Sequence, residues 1–149
     1  MPDSKKLLEN YFFERFGVNR KLWKHYNVYW LGNSLWITSP DLEPSPKYIS
    51  CGIRALRIMD SEFKSLKPTT YVLQYLGENI KKNIADIDTN DLKTIINGRY
   101  LENNSLGYGY IALRYRNYII GCGLKNSHGI KNQIPKGRKR ELEEILDEE

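Results

Sequence analysis

The chain of 149 residues has few cysteines, histidines and methionines, with two of each. Cys51 and Cys122 stand in Ser-Cys-Gly and Gly-Cys-Gly contexts. They show no CxxC spacing and no nearby histidine pair, so the sequence predicts no metal site. Both fall in predicted strands, and we expect two buried free thiols that pack as small apolar side chains.

The chain also lacks long apolar runs. No segment approaches the ~20 apolar residues that span a bilayer, and the opening MPDSKKLLEN lacks the apolar core of a secretory signal. We therefore expect a cytoplasmic protein without a membrane partner. Its 40% apolar and 28% charged residues are typical of one globular domain, or of two small domains that share an interface.

Basic residues are absent from the C-terminal end. Residues 141–149, ELEEILDEE, contain six acids and no base, although the whole chain has a net charge of +5. The first 140 residues therefore carry 23 Lys and Arg against 12 Asp and Glu, a net charge of +11. A basic body of this kind indicates a polyanion partner. The alternative is a solvated charged surface that serves solubility.

The N-terminal segment predicts two helices. Apolar residues at three-to-four spacing favour an amphipathic helix from Ser4 to Phe16, which Gly17 would end. Asn19 can cap a second, short helix that runs to about His25. Aromatic side chains dominate the apolar side of both helices and are expected to lie in a core.

A small antiparallel sheet is predicted next. Aromatic-rich runs at 27–31 and 34–38 flank a Gly-Asn pair suited to a two-residue hairpin turn. This hairpin should bring Trp30 close to Trp36. After the proline-rich loop SPDLEPSPK, a third strand is expected within 47–59.

The following segment, SEFKSLKPTT, is interpreted as a break and as the best boundary within the chain. A threonine cap predicts a helix over 71–76, and a strand is expected at 83–87. Asp88 can cap the next helix, which would run to Ile96 before an Asn-Gly end.

The strongest strand signal lies further on. Runs rich in β-branched and aromatic residues at 108–115 and 118–124 flank Arg116-Asn117 and predict a hairpin. In the first run, alternation places Tyr108, Tyr110, Ala112, Arg114 and Arg116 on one face and mainly apolar residues on the other. A short strand at 130–134 and a helical tail from Arg138 or Lys139 complete the prediction, and the tail is expected to dock weakly or fray.

A series of short motifs follows in the same region. They are Gly109-Tyr110, Gly121-Cys122-Gly123, Lys125, Gly129-Ile130-Lys131-Asn132 and Pro135-Lys136. In the order of these motifs, the chain resembles the PUA-like RNA-binding domain that is appended to ribosomal and transfer RNA cytosine-C5 methyltransferases of the Sun family. The resemblance covers about residues 68–140, and YFFERFGV near the N-terminus resembles regions that precede PUA domains in small archaeal proteins.

The residue patterns and the resemblance together predict an α+β fold in three parts. An N-terminal helix-plus-antiparallel-sheet module would occupy residues 1–67, and a PUA-like mixed β pseudo-barrel with short helices would occupy 68–140. An acidic helical tail would follow at 141–149. Those methyltransferases also have a glycine-rich cofactor loop and a nucleophilic cysteine after proline, and this chain matches neither feature. We therefore expect no cofactor and no catalysis.

The function expected on this basis is the binding of structured RNA, transfer or ribosomal, beside a separate RNA methyltransferase or in ribosome biogenesis. Six positive charges fall within residues 125–140 without an acid, and arginine or tyrosine side chains can stack on unpaired bases. The predicted RNA-binding residues are Arg99, Tyr108, Tyr110, Arg114, Arg116, Lys125, Lys131, Asn132, Lys136, Arg138, Lys139 and Arg140.

Three other interpretations remain open. The basic face could bind an acidic protein partner, which would make the chain an interaction adaptor. A divergent enzyme would instead show a deep pocket with a perturbed titratable group. Within the RNA-binding interpretation, the acidic tail could fold back on the basic run and compete with RNA, or it could simply place acids in the first turns of a helix.

Overall fold

The computed structural model describes residues 2–38 and 52–147. The chain divides into two compact units, one that ends at Lys82 and one that begins at Asn83. Both combine helices with a four-stranded sheet, so the predicted α+β class is confirmed.

The first unit opens with helix α1, Ser4–Phe16. The Asp3 side chain accepts a hydrogen bond from the backbone N–H of Lys6, and Gly17 ends the helix with a left-handed φ of 65°. A 3₁₀ helix, Arg20–His25, follows and is capped by Asn19. Both predicted helices are confirmed. Of their aromatic residues, Phe12, Phe16 and Trp23 are fully buried, whereas Phe13 is 45% exposed and does not lie in the core as predicted.

An antiparallel sheet in chain order completes this unit. Its strands are β1 (Asn27–Leu31), β2 (Ser34–Thr38), β3 (Ile53–Ile58) and β4 (Leu66–Pro68). The segment predicted as a break contains β4, because a short edge strand can include a proline. The first part of the predicted third strand, with Cys51, lies outside the described residues.

The predicted approach of Trp30 to Trp36 is wrong. The two-residue turn pairs Leu31 with Ser34, and this register places Trp30 opposite Leu35 and Trp36 opposite Tyr29. Because side chains alternate between the faces of a strand, the two indoles lie on opposite faces of the hairpin. Trp30 packs edge-to-face on Phe63, with 5.6 Å between the ring centroids.

Helix α2, Thr70–Leu76, belongs to the first unit. Its cap residue, Thr69, donates its backbone N–H to Ala55 of β3 and its hydroxyl to Arg54. These bonds tie α2 to the sheet of the first compact unit, which ends at Lys82. A 3₁₀ turn, Gly77–Asn79, follows the helix.

The second unit contains a mixed sheet that curls into a half-barrel. Its strands, in sheet order, are β5 (Ile84–Ile87), β6 (Gly109–Tyr115), β7 (Tyr118–Asn126) and β8 (Gly129–Asn132). β5 and β6 are parallel and are joined through helix α3, Thr89–Ile96, while the other pairs are antiparallel. A 3₁₀ turn, Lys136–Arg138, leads into helix α4, Lys139–Asp147.

Local signals explain why these elements form where the sequence predicted them. Asp88 and Asp91 form a reciprocal capping box at the start of α3. Arg116 and Asn117 both adopt positive φ, 50° and 69°, as a tight turn between right-handed twisted strands requires.

The core of the second unit is mainly aliphatic. Ile111, Leu113 and Tyr115 project from one face of β6 into it, which confirms the predicted apolar face. Leu142 of α4 is also buried there, so the tail docks on the core rather than fraying. Ala112 is buried too, although alternation placed it on the face with tyrosines and arginines. Cys122 is a buried free thiol, as predicted.

Candidate nucleic-acid interface

Charge is separated along the second unit. From Asn103 to Arg140 the sequence contains eight Lys and Arg and no Asp or Glu. This acid-free segment includes β6, β7, β8 and the first residues of α4. The acids of the unit precede it, between Asp86 and Glu102, or follow it in 141–149. A local positive potential therefore accompanies the segment although the unit as a whole has no net charge.

A cavity of about 430 Å³, here called the lysine pocket, lies between the end of α3, β8 and the start of α4. Its apolar lining comes from Ile95, Ile96, Ile134, Pro135 and Leu142. Its polar lining comes from Asn97, Gly98, Lys131, Asn132, Lys136 and Lys139, with no acid among the lining residues. The cavity thus combines apolar surface with three ammonium groups.

The three lysines differ in their partners. Lys139 has Glu143 one helical turn away, with 3.9 Å between Nζ and the carboxylate oxygen. Lys131 and Lys136 are exposed and make no hydrogen bond or ion pair within the described parts of the chain. Two of the three positive charges are therefore available to an external anion.

One half of the Asn132 side-chain amide already makes a hydrogen bond within the protein. Its Oδ1 accepts a hydrogen bond from the backbone N–H of Ile134 at 2.8 Å. Because that partner is a donor, the atom facing it must be the oxygen, and Nδ2 is the other half of the amide. Asn132 is half-buried and lines the lysine pocket, and the two N–H donors of its Nδ2 are not used by the bond to Ile134.

A second basic position lies beside an exposed ring. Lys125 is only 7% exposed, and its Nζ donates to the carbonyl of Asn126 while lying 5.5 Å from the ring centroid of Tyr108. Tyr108 itself is 68% exposed. Lys125 also lines a polar cavity of about 380 Å³ with Tyr100 and His128, whose ring centroids are 5.5 Å apart.

Arg114 is paired with an acid of the neighbouring strand. The parallel register places Asp86 directly opposite Arg114, and the carboxylate accepts from Nε at 2.6 Å and from Nη2 at 2.8 Å. These hydrogen bonds lower the pKa of Asp86 and raise that of Arg114. The side chains are 36% and 68% exposed, so water screens the pair.

The basic run at the start of α4 is paired with the acidic tail. Arg138 meets Glu141, with 2.7 Å between Nη2 and Oε2, and Arg140 meets Glu144 at 3.5 Å. With Lys139 and Glu143, this makes three ion pairs at spacings of three or four residues. The predicted RNA-binding triplet 138–140 is therefore already partly neutralised by its own helix.

The remaining predicted residues are not among those that line the lysine pocket. Arg99 is exposed just after α3, and Tyr110 is half-buried in β6. Arg116 is exposed in the hairpin turn, with its guanidinium 5.3 Å from the ring centroid of Tyr115. The structure thus brings together four of the predicted residues in one cavity: Lys131, Asn132, Lys136 and Lys139. Their role in RNA binding remains a prediction.

Sequence reasoning missed the contribution of α3 to this cavity. Ile95, Ile96 and Asn97 were interpreted only as the end of a helix. Their position beside Lys131 depends on how α3 packs on β8, more than 30 residues later in the chain. The Asn-Gly pair at 97–98 was a local signal for the helix end, but it carried no information about a cavity.

The first unit contains a larger, mostly apolar cavity of about 590 Å³. Tyr26 and Tyr75 line it and share a hydrogen bond between their hydroxyl groups. That bond, with partial burial, raises the pKa of Tyr75 to about 12. A phenol with a raised pKa stays protonated, which is the opposite of what a tyrosine general base needs.

Within residues 2–38 and 52–147, no three His, Cys, Asp or Glu side chains cluster in a way that could hold a metal ion. Over the same residues, no helix has both the length and the apolar content needed to cross a membrane.

Comparison with known proteins finds similarity to an RNA-modifying enzyme. The chain is 26% identical over 108 residues to "Ribosomal RNA small subunit methyltransferase F" of Vibrio vulnificus, strain YJ016, and equally to the protein of that name in strain CMCP6. The match covers 72% of this chain but only 23% of each relative. The chain therefore spans about a quarter of the length of these curated relatives. No protein-family model matches it.

Proposed function

We propose that this chain binds structured RNA, of the transfer or ribosomal kind, through the acid-free segment of its second unit. The proposal depends on two lysines, Lys131 and Lys136, that make no ion pair in the described parts of the chain. They lie within a segment that has eight Lys and Arg and no Asp or Glu. Phosphate groups are the dense anions that such a surface attracts, and contact releases their counterions.

The similarity to a ribosomal RNA methyltransferase supports this choice of polyanion. The aligned part is a minor fraction of that enzyme, so we propose a non-catalytic role for the chain, as an RNA-holding accessory to a separate methyltransferase. The mixed, curled sheet of the second unit is in keeping with a PUA-like domain. We propose that the part of the predicted 68–140 domain that lies in the second unit carries the binding.

A binding assay at two salt concentrations tests the proposal. Fluorescence anisotropy with a labelled transfer RNA is measured in about 50 mM and about 200 mM KCl. With roughly four or five phosphates contacted, affinity falls by about two orders of magnitude between them. Absence of binding at the lower salt concentration would overturn the proposal.

A polyglutamate chain of similar length serves as the control anion. RNA should bind more tightly, because guanidinium and lysine groups meet phosphates at fixed spacing and tyrosines can stack on bases. Equal or tighter binding of polyglutamate would instead indicate an adaptor for an acidic protein partner.

A further inference from the structure

We infer that the lysine pocket receives a single unstacked nucleotide of the bound RNA, with its base against the aliphatic lining and its phosphates at Lys131 and Lys136. This inference rests on the proposed function and adds a specific kind of recognition to it. A surface that only tracks the phosphate backbone needs positive charge but no apolar cavity. The combination of both in one place requires a ligand with an apolar body and an anionic group.

The dimensions and the lining fit such a ligand. A volume of about 430 Å³ lies within the range of pockets that enclose small organic molecules. Ile95, Ile96 and Ile134 contribute to the aliphatic lining, and no acid is among the lining residues. A base that is paired in a duplex keeps its faces stacked and cannot enter, whereas a bulged or terminal nucleotide can be splayed out.

Asn132 supplies a polar contact at the same place. Its Oδ1 is held by the N–H of Ile134, so its Nδ2 donors are the half of the amide available to a ligand that offers acceptors. Ring nitrogens and carbonyl oxygens on the edge of a base are such acceptors. The exposed Lys131 and Lys136 reach the phosphates on either side of the inserted nucleotide.

Two RNA hairpins that differ in one base test the inference. One carries 2-aminopurine as a single bulged nucleotide, and the other carries it paired within the stem. On binding, the bulged probe should increase in fluorescence, because its base leaves the stack and enters a pocket without aromatic side chains. The bulged hairpin should also bind about fivefold more tightly than the paired one.

A matched pair of variants links the signal to the pocket. Asn97 lines the pocket, is exposed and ends α3 with an ordinary φ of −81°. Asn97→Trp should fill the opening and remove both the fluorescence increase and the preference for the bulge, while affinity for the paired hairpin stays within twofold. Asn90→Trp, the same substitution at an exposed position of α3 outside the pocket lining, should keep both signals. Circular dichroism checks that the tryptophan variant folds.

The possible outcomes separate the two proposals. Binding of both hairpins with equal affinity and no fluorescence increase overturns the nucleotide pocket and leaves the RNA-binding function standing. Binding of neither hairpin overturns both. Free adenosine monophosphate is a third probe: if it quenches the bulged signal at micromolar concentration, the pocket takes a free nucleotide rather than one held within RNA, and the inference is wrong.

Discussion

The two units differ in how their charges are arranged. In the first unit, 13 Lys and Arg are interspersed with 8 Asp and Glu. In the second unit, ten Lys and Arg and ten Asp and Glu lie mostly in separate segments. By net charge alone, the first unit is the better candidate for an anion-binding surface. The arrangement reverses that conclusion, because 38 consecutive residues of the second unit carry eight bases and no acid. The spacing of charge, rather than its sum, identifies the candidate interface.

The two cores also differ. The first unit buries Phe12, Phe16 and Trp23 against one another, with 5.4 Å between the ring centroids of Phe12 and Trp23. The second unit is closed mainly by aliphatic side chains and by glycines where elements approach closely. A half-barrel packed in this way depends on positions that tolerate no side chain.

The largest expected effect is a loss of stability when a side chain is added at such a glycine. Gly129 has a φ of 121°, and a Cβ there would lie 2.4 Å from the carbonyl oxygen of Leu101. Gly129→Ala should therefore destabilise the second unit by about 2–4 kcal/mol, measured by urea unfolding. Gly107→Ala is the control, because its Cβ would meet nothing within 4 Å. Equal stability of the two variants would refute the close approach.

A smaller effect is expected from the partly neutralised triplet. Replacing Arg138, Lys139 and Arg140 together by alanine should lower RNA affinity. The slope of log affinity against log salt concentration should decrease in magnitude by less than about 2. Three fully available cations would contribute about 2 to 3. The pairs with Glu141, Glu143 and Glu144 account for the difference. A decrease of the slope by about 2 to 3 would show instead that all three cations contact phosphate fully in spite of their ion pairs.

The acidic tail provides the reverse experiment. Replacing Glu141, Glu143 and Glu144 by glutamine should raise RNA affinity a few-fold at low salt, because each ion pair is weak and competes with phosphate. Leu142 stays in the core, so the helix should remain docked by circular dichroism. Unchanged RNA affinity would exclude competition by the tail and leave the acids as ordinary helix charges.

The smallest effect concerns the pair of Asp86 and Arg114. Because Arg114 lowers the pKa of Asp86, the pair stabilises the folded state above the ordinary aspartate range. That contribution is lost as pH falls below about 4 and through the lowered folded pKa. Exposure limits it to below ~1 kcal/mol. Asp86→Asn should therefore reduce the free energy of unfolding by less than ~1 kcal/mol at pH 7. It should also make that free energy depend less on pH below about 4, and an unchanged pH dependence there would contradict the pairing.

Local signals predicted most elements of the fold. The capping box at Asp88, the glycine after Phe16 and the alternation in β6 act within a few residues, and each was visible in the sequence. β4 was missed because three residues with a proline carry almost no strand signal.

The site depended on contacts between distant residues. Arg114 was predicted to face RNA, but the parallel register that brings Asp86 opposite it joins strands separated by α3. The apolar wall of the lysine pocket likewise comes from α3, while its lysines come from β8 and the start of α4. Composition predicted a basic surface. Only the packing showed which lysine and arginine side chains form ion pairs and which are available to an anion.

The salt dependence of RNA binding tests the central claim most directly. The slope of log affinity against log salt is compared for wild type, for Lys131→Gln/Lys136→Gln, and for Lys6→Gln/Lys21→Gln, which removes two exposed charges from the first unit. We predict that the slope decreases by about 1.4 to 1.8 in the first double variant and stays unchanged in the second. Equal slopes for both double variants would contradict an interface on the acid-free segment.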